Sequence, residues 1–223
     1  LRIIQPSFDL IRPQNGQEGV EQLRFIERLA RISHRSEDLQ TEESWKKFIP
    51  AVVLNHGDWS VVEHASATVI FRVDRGVTHE LVRHRLFSFT QESTRFVNYQ
   101  KKGDGLEFVY PIQLNQADNP ESWLQWVTSC QAAEGAYLQM LRDGMRPQEA
   151  RSVLPNALAS TIAVTGNLRS WRWLFLARTT QETHPDFRRV TIPLLKVFQE
   201  RIPLLYDDIT PMEKQSVSMA RVH

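Results

Sequence analysis

Cysteine occurs once in this chain, as Cys130. A lone thiol excludes an internal disulfide and any cysteine-built zinc or iron–sulfur centre within one chain, and it fits a reducing compartment, so the cytosol is the expected location. Long apolar runs are missing too: nothing approaches the roughly 18 residues of a membrane helix, and Leu1 to Asp9 lack the basic-then-apolar plan of a secretory leader. No membrane partner is expected. Excess charge is absent, since 27 Lys and Arg face 26 Asp and Glu. A cationic cluster on so balanced a chain is a local device, which weakens a nucleic-acid role. No Gly-x-Gly-x-x-Gly follows a strand pattern, so any dinucleotide would be held outside a Rossmann site. The 223 residues suffice for one core without staples. No internal repeat or low-complexity tract is visible, and the expectation is a single α+β domain over residues 1–223, with helices around a small, mainly antiparallel sheet.

Periodicity places the elements. Val20, Leu23, Phe25, Ile26, Leu29, Ala30 and Ile32 predict an amphipathic helix over residues 18–33, and a second helix over 42–54 is broken or kinked at Pro50. The run from His64 to Val73 is rich in strand formers, Asp74-Arg75-Gly76 signals a turn, and a helix is expected over 77–87. From Gln91 the chain reads as extended. Residues 101–120 read as a loop with one short strand near 106–112. A long helix over 120–141 carries the stripe Trp123, Trp126, Val127, Cys130, Ala133, Tyr137, Leu138 and Leu141, which turns Cys130 inward. Pro147 opens a helix over 148–154, and a strand follows over 157–165. Asn167 caps a helix over 168–178, Pro185 opens a last helix that contains Pro193, and the tail after Pro203 is expected to pack loosely.

Chemistry concentrates in residues 83–96. Three arginines (Arg83, Arg85, Arg95), His84, Gln91 and four hydroxyls (Ser88, Thr90, Ser93, Thr94) share this stretch. Arginine offers a planar fork matched to phosphate oxygens, and hydroxyls add short neutral donors, so a multiply charged anion is the expected ligand. On a helix Arg83, His84 and Arg85 would fan over roughly 200°, which implies more than one ligand group, or a ligand and a partner chain. Glu80 lies on the helical face of Arg83 and His84 and can orient either. In an extended backbone Gln91, Ser93 and Arg95 would emerge on one side as a strip of donors.

Each of these residues also has a plainer use. A single arginine at a helix end complements the dipole, a single histidine is more often structural than catalytic, and Glu63-His64 could be solvated charge. His79 and His84, five apart, do not share a face as paired ligands would, so no metal is expected. A second constellation comprises Arg151, Asn167, Arg169 and Arg178. Trp171, Leu174, Phe175 and Arg178 fall on one helical stripe, where an arginine bordering an apolar wall suits a planar polar heterocycle, although a snorkelling arginine would look the same.

The chain resembles the flavin-dependent thymidylate synthases, whose signature is Arg-His-Arg, seven residues, Ser, and a further Arg two positions on. Here those positions are Arg83-His84-Arg85, Ser93 and Arg95. The resemblance extends to Ser60-Val61-Val62-Glu63-His64, to Ala150-Arg151-Ser152-Val153-Leu154-Pro155, to Asn167-Leu168-Arg169 and to Arg178. It departs at Glu80, Gln91 and Phe96, where many members have Gln, Glu and Tyr, and near Trp173, where they have Asn or His.

The resemblance implies reductive methylation of dUMP to dTMP, with methylenetetrahydrofolate as carbon donor, FAD as cofactor and NADPH as reductant, in a homotetramer whose active sites draw on several subunits. It implies that Ser60, Glu63, Arg83, His84, Arg85, Gln91, Asn167 and Arg169 surround FAD. Glu80, Arg83, Gln91, Ser93, Arg95 and Arg151 would hold dUMP, and Arg178, the catalytic residue, would face the uracil and favour negative charge on its ring. The residues agree on one point independently: a cysteine on an apolar stripe is no nucleophile for uracil, and polarisation by an arginine with hydride transfer from a cofactor is a route that requires none. Two alternatives stand beside this expectation, a flavin-dependent hydroxymethylation of a pyrimidine deoxynucleotide and a non-catalytic nucleotide- or RNA-binding module.

Overall fold

The computed structural model describes residues 1–101, 105–114 and 116–211. Its fold is α+β, with one antiparallel sheet, one short parallel pair and surrounding helices, in two compact units. The first comprises Leu1–Arg12 and Ser66–Gly166; the second comprises Pro13–Ala65 and the chain from Asn167 onward.

In the first unit β2 (Ser7–Arg12), β3 (Ser66–Asp74), β6 (Ala159–Asn167) and β4 (Ser88–Gln91) form a sheet in the order β2-β3-β6-β4. Strands β2 and β3 are antiparallel, as are β4 and β6, in the register Ser88 to Thr165 and Gln91 to Ile162. Alternation sorts the two faces. Ala67, Val69, Phe71, Val73, Ile162 and Val164 are buried, whereas Thr68, Arg72, Thr161 and Thr165 lie on the polar face, where the Thr68 and Thr165 hydroxyls meet at 2.9 Å. Strand β1 (Arg2–Ile4) pairs in parallel with β5 (Glu107–Val109). Helix α4 (Pro120–Arg142) packs its stripe into a cluster of Tyr99, Leu106, Phe108, Cys130, Tyr137, Ala150 and Leu158, and the helix expected over 148–154 is the short α5 (Pro147–Ala150) followed by a 3₁₀ turn, Arg151–Val153. Cys130 is 3% exposed, and burial pushes its thiol up to about 11.

Strand β3 passes into α3 (Arg75–Leu81) with no intervening loop. Asp74 is the last strand residue and the helix N-cap, its carboxylate accepting from Val77 N at 2.9 Å. The glycine behind the expected turn serves this cap, since a Cβ on Gly76 would come within 2.8 Å of Asp74 Oδ1. Helix α3 then ends earlier than its pattern suggests. Leu81 is buried, but Val82, Arg83, Arg85 and Leu86 are exposed and give a further turn nothing to pack against, so residues 82–87 form turns until buried Phe87 re-anchors the chain. Phe87 seats on Gly166, where a Cβ would stand 2.4 Å from its ring.

In the second unit, α1 (Gly16–Ile32) is capped by Asn15, and the short α2 (Trp45–Phe48) continues through Pro50 as a π-helical stretch, Ile49–Asn55. Helices α6 (Leu168–Arg178) and α7 (Pro185–Arg201) complete it. Its core is aromatic: the rings of Trp171, Phe175, Phe198 and Tyr206 lie 4.9–6.0 Å apart in tilted and edge-on pairs. The segment after Pro203 is therefore not loose as far as Pro211. Leu205 and Tyr206 are wholly buried and Ile209 nearly so, and the Tyr206 hydroxyl donates to the Leu168 carbonyl at 2.9 Å. The remainder of that tail lies outside the described residues.

Candidate active site

In the first unit the expected nucleotide ligands fall in two places, the loop that follows α3 and the turn that follows β4. Arg83, His84 and Arg85 follow the helix instead of riding on it, so the loop between Leu81 and Phe87, and not helical geometry, spreads them. Arg83 N is bonded to the Glu80 carbonyl at 3.2 Å, which places Glu80 beside the cluster through its backbone. His84 stacks edge-on with Phe87, ring centres 6.3 Å apart.

The expected strip of Gln91, Ser93 and Arg95 does not form as one extended edge. Strand β4 ends at Gln91, and Ser93 opens a tight turn whose carbonyl accepts from Phe96 N and Val97 N. The pleat sends Gln91 to the buried face with Phe89. There its amide donates to the Thr78 hydroxyl at 3.0 Å and to the Ser160 hydroxyl at 3.1 Å. Arg95 is exposed and lies over the Phe96 ring at 5.4 Å. Arg151 joins this group, since it donates to the buried Thr94 hydroxyl at 3.1 Å. Thr94 thus ties the turn to a distant stretch of the same unit.

Glu92 takes the opposite face from Gln91 and enters a network that the residues 83–96 gave no hint of. Its Oε2 accepts from Arg72 at 2.7 Å and from Thr161 N at 3.3 Å, and its Oε1 accepts from the Tyr99 hydroxyl at 2.9 Å. Arg72 also donates to Thr161 Oγ1 at 2.8 Å and to Glu107 at 2.6 Å. Burial pushes the Glu92 carboxyl up, but the Tyr99 and Thr161 hydrogen bonds and the Arg72 charge outweigh it and hold it below the usual carboxylate range. The usable signal in the sequence is Arg72 itself, the one basic residue of β3 and in phase with Thr68.

In the second unit the expected flavin ligands cluster at the start of α6. Asn167 caps the helix through Oδ1, which accepts from Ser170 N at 2.8 Å. Arg169 donates to Glu63 at 2.6 Å, with both side chains about half exposed (51% and 47%). Ser60 and Glu63 are exposed on the 3₁₀ turn Trp59–His64, which is tied to the helix by Leu168 N bonding to the Ala65 carbonyl at 2.9 Å. At the other end of α6, Arg178 is half-buried. Its guanidinium lies 5.4 Å from the centre of the Phe187 ring, and its carbonyl accepts from Thr191. Trp171, Leu174 and Phe175 on the same stripe are wholly buried, so Arg178 does stand at the rim of an apolar wall. The donors in both groups, guanidinium, amide and hydroxyl, suit phosphate and heterocycle edges. Among the described residues no group of three or more His, Cys, Asp or Glu could hold a metal, and no helix is long and apolar enough to cross a membrane.

The chain is similar to known proteins. A sequence model of the thymidylate synthase complementing protein family matches residues 18–204. A flavin-dependent thymidylate synthase of Corynebacterium aurimucosum is 36% identical over 172 residues, which cover 70% of this chain and 67% of that protein. One from Mycobacteroides abscessus is 34% identical over 191 residues, 74% of each chain. In three dimensions the chain is similar to a UMP/dUMP methylase from Streptomyces cacaoi, solved with 5-Br dUMP, with a TM-score of 0.74 at 21% identity over 92% of this chain and 95% of that one. That likeness speaks to the fold. The family match over residues 18–204 and these identities place the chain in the thymidylate synthase complementing protein family, that of the flavin-dependent thymidylate synthases.

Proposed function

We propose that the protein methylates dUMP reductively to dTMP, with methylenetetrahydrofolate as carbon donor and NADPH as reductant, and that it works in the cytosol as a homotetramer with shared active sites. The observation that carries this reading is the pair of exposed arginines, Arg83 and Arg85, on the loop before β4, together with Ser93 and exposed Arg95 on the turn after it, within a chain of this family. Exposed guanidinium groups and a hydroxyl at a tight turn suit the phosphate of a mononucleotide. Arg151, steadied by Thr94, adds a further charge.

The donor set fits FAD. In the first unit Arg83, His84 and Arg85 would offer donors to its phosphates; in the second, Ser60, Glu63, Arg169 and Asn167, whose amide nitrogen is not spent on the helix cap, would offer polar partners to its ring edges, while the Gln91 amide is held by Thr78 and Ser160. When bound, FAD supplies hydride chemistry. Arg178 would face the uracil and stabilise negative charge developing on the ring, a role suited to a guanidinium at the edge of an apolar wall. Cys130 takes no part, because it is buried and its thiol is held protonated.

The test is product analysis by mass spectrometry after incubation with dUMP, methylenetetrahydrofolate, FAD and NADPH. The expected product is dTMP; a product heavier by one oxygen would identify a hydroxymethylating enzyme and overturn the reading. Arg178→Ala is expected to abolish turnover while FAD stays bound. Normal turnover in that variant would remove Arg178 from the chemistry.

A further inference from the structure

The strand that leads into the phosphate-type turn presents a difficulty. Glu92 stands between Gln91 and Ser93, so a full negative charge sits next to the place where the proposed function puts a phosphate dianion. A carboxylate there would repel the ligand that Arg83, Arg95 and Arg151 attract. The structure answers this through the pleat. Gln91 goes to the buried face, Glu92 goes to the polar face, and there both carboxylate oxygens are occupied: Oε1 by Tyr99, Oε2 by Arg72 and Thr161 N. Arg72 is in turn braced by Glu107 and by Thr161 Oγ1, so its guanidinium is fixed in place.

We infer that Arg72 is a positioning residue for nucleotide binding: it holds the Glu92 carboxylate turned away from, and screened against, the substrate phosphate beside Ser93 and Arg95. The inference rests on the proposed dUMP site and extends it to a residue that touches no ligand. Tyr99 is the second clasp. Its hydroxyl is a donor of raised pKa beside the Glu92 charge and stays protonated across the working pH range. Without Arg72, Glu92 loses its counter-charge and is free to swing toward solvent near the turn.

The experiment is a kinetic comparison of the holoenzyme, Arg72→Gln, Tyr99→Phe and the double variant Arg72→Gln with Glu92→Gln, titrated with dUMP. Arg72→Gln is expected to raise KM for dUMP about tenfold, on the scale of one freed charge near a dianion, with kcat and FAD binding close to those of the parent. Adding Glu92→Gln removes the offending charge and returns most of that loss, which a purely structural role for Arg72 would not allow. An unchanged KM in Arg72→Gln, or a double variant no better than the single one, overturns the inference. Should Arg72→Gln fail to fold, Tyr99→Phe carries the test: a smaller KM rise that Glu92→Gln cancels supports the clasp, and an unchanged KM overturns it. A parent enzyme that neither binds dUMP nor forms dTMP would instead sink the proposed function itself.

Discussion

Asn167 combines two duties that substitution can separate. Its Oδ1 caps α6 through Ser170 N at 2.8 Å with the extended backbone of an N-cap, φ −68° and ψ 160°. Removing such a cap costs about 1 kcal/mol, and in a protein of this size that lowers Tm by roughly 2–4 °C. Asn167→Ala is expected to show this drop in flavin-free protein, where cofactor binding cannot mask it. Asn167→Asp retains the oxygen acceptor and adds a negative charge at a helix N-terminus, worth about 0.3–1 kcal/mol in its favour, so it should melt at or above the parent. Flavin affinity should move the other way. The aspartate has lost the amide donor and places a charge beside a phosphate-bearing cofactor, so both variants should bind FAD more weakly, Asp most of all. The assays are thermal unfolding followed by circular dichroism and flavin titration by fluorescence quenching. An alanine variant that melts with the parent would refute the cap energetics, and an aspartate variant that binds FAD normally would remove Asn167 from the cofactor site.

Three other outcomes are expected. Gly19→Ala should destabilise by about 3 kcal/mol or more, measured by urea unfolding, because a Cβ on this buried residue would stand 1.7 Å from the Arg201 carbonyl oxygen, and backbone cannot yield as a side chain can. Glu92 is held below its usual pKa when folded, so the folded state binds fewer protons than the unfolded chain as pH falls. Its contribution is complete above the ordinary glutamate value and is lost as pH drops through the folded one. Melting temperature should therefore fall more steeply with acid in the parent than in Glu92→Gln, and parallel curves would contradict this. Cys130, with its thiol pushed up to about 11, should resist iodoacetamide at neutral pH with turnover intact; inactivation that tracks its alkylation would reopen the case for a protein nucleophile.

The sequence spoke most clearly where local chemistry and packing agree. Asn167, α6 and the inward stripe of α4 follow from a cap residue and a 3.6-residue period, and both helices occupy nearly their expected spans. It misled where pattern lacked a tertiary partner. Residues 82–86 have helix-forming character, yet Val82, Arg83, Arg85 and Leu86 meet solvent, and the backbone instead turns to pair Ser88 with Thr165, a contact 77 positions away that no local reading reveals. The tail after Pro203 packs where its composition suggests a loose end for the reverse reason, since Leu205 and Tyr206 find an aromatic core whose members are remote in sequence. In the candidate site the arginines were legible one by one. Their supports were not: Thr78 and Ser160 under Gln91, Thr94 under Arg151, and the Arg72 clasp on Glu92 all depend on which strands lie side by side.

The direct passage of β3 into α3 through Asp74 leaves the first unit without slack at that joint. One residue inserted there would rotate every following helical side chain by about 100°. Thr78 would be carried away from Gln91, and the capping carboxylate would lose Val77 N. Length is thus more tightly constrained than identity at this junction. A substitution at Asp74 or Gly76 would disturb the cap alone, whereas a single-codon insertion would shift every contact of α3 at once.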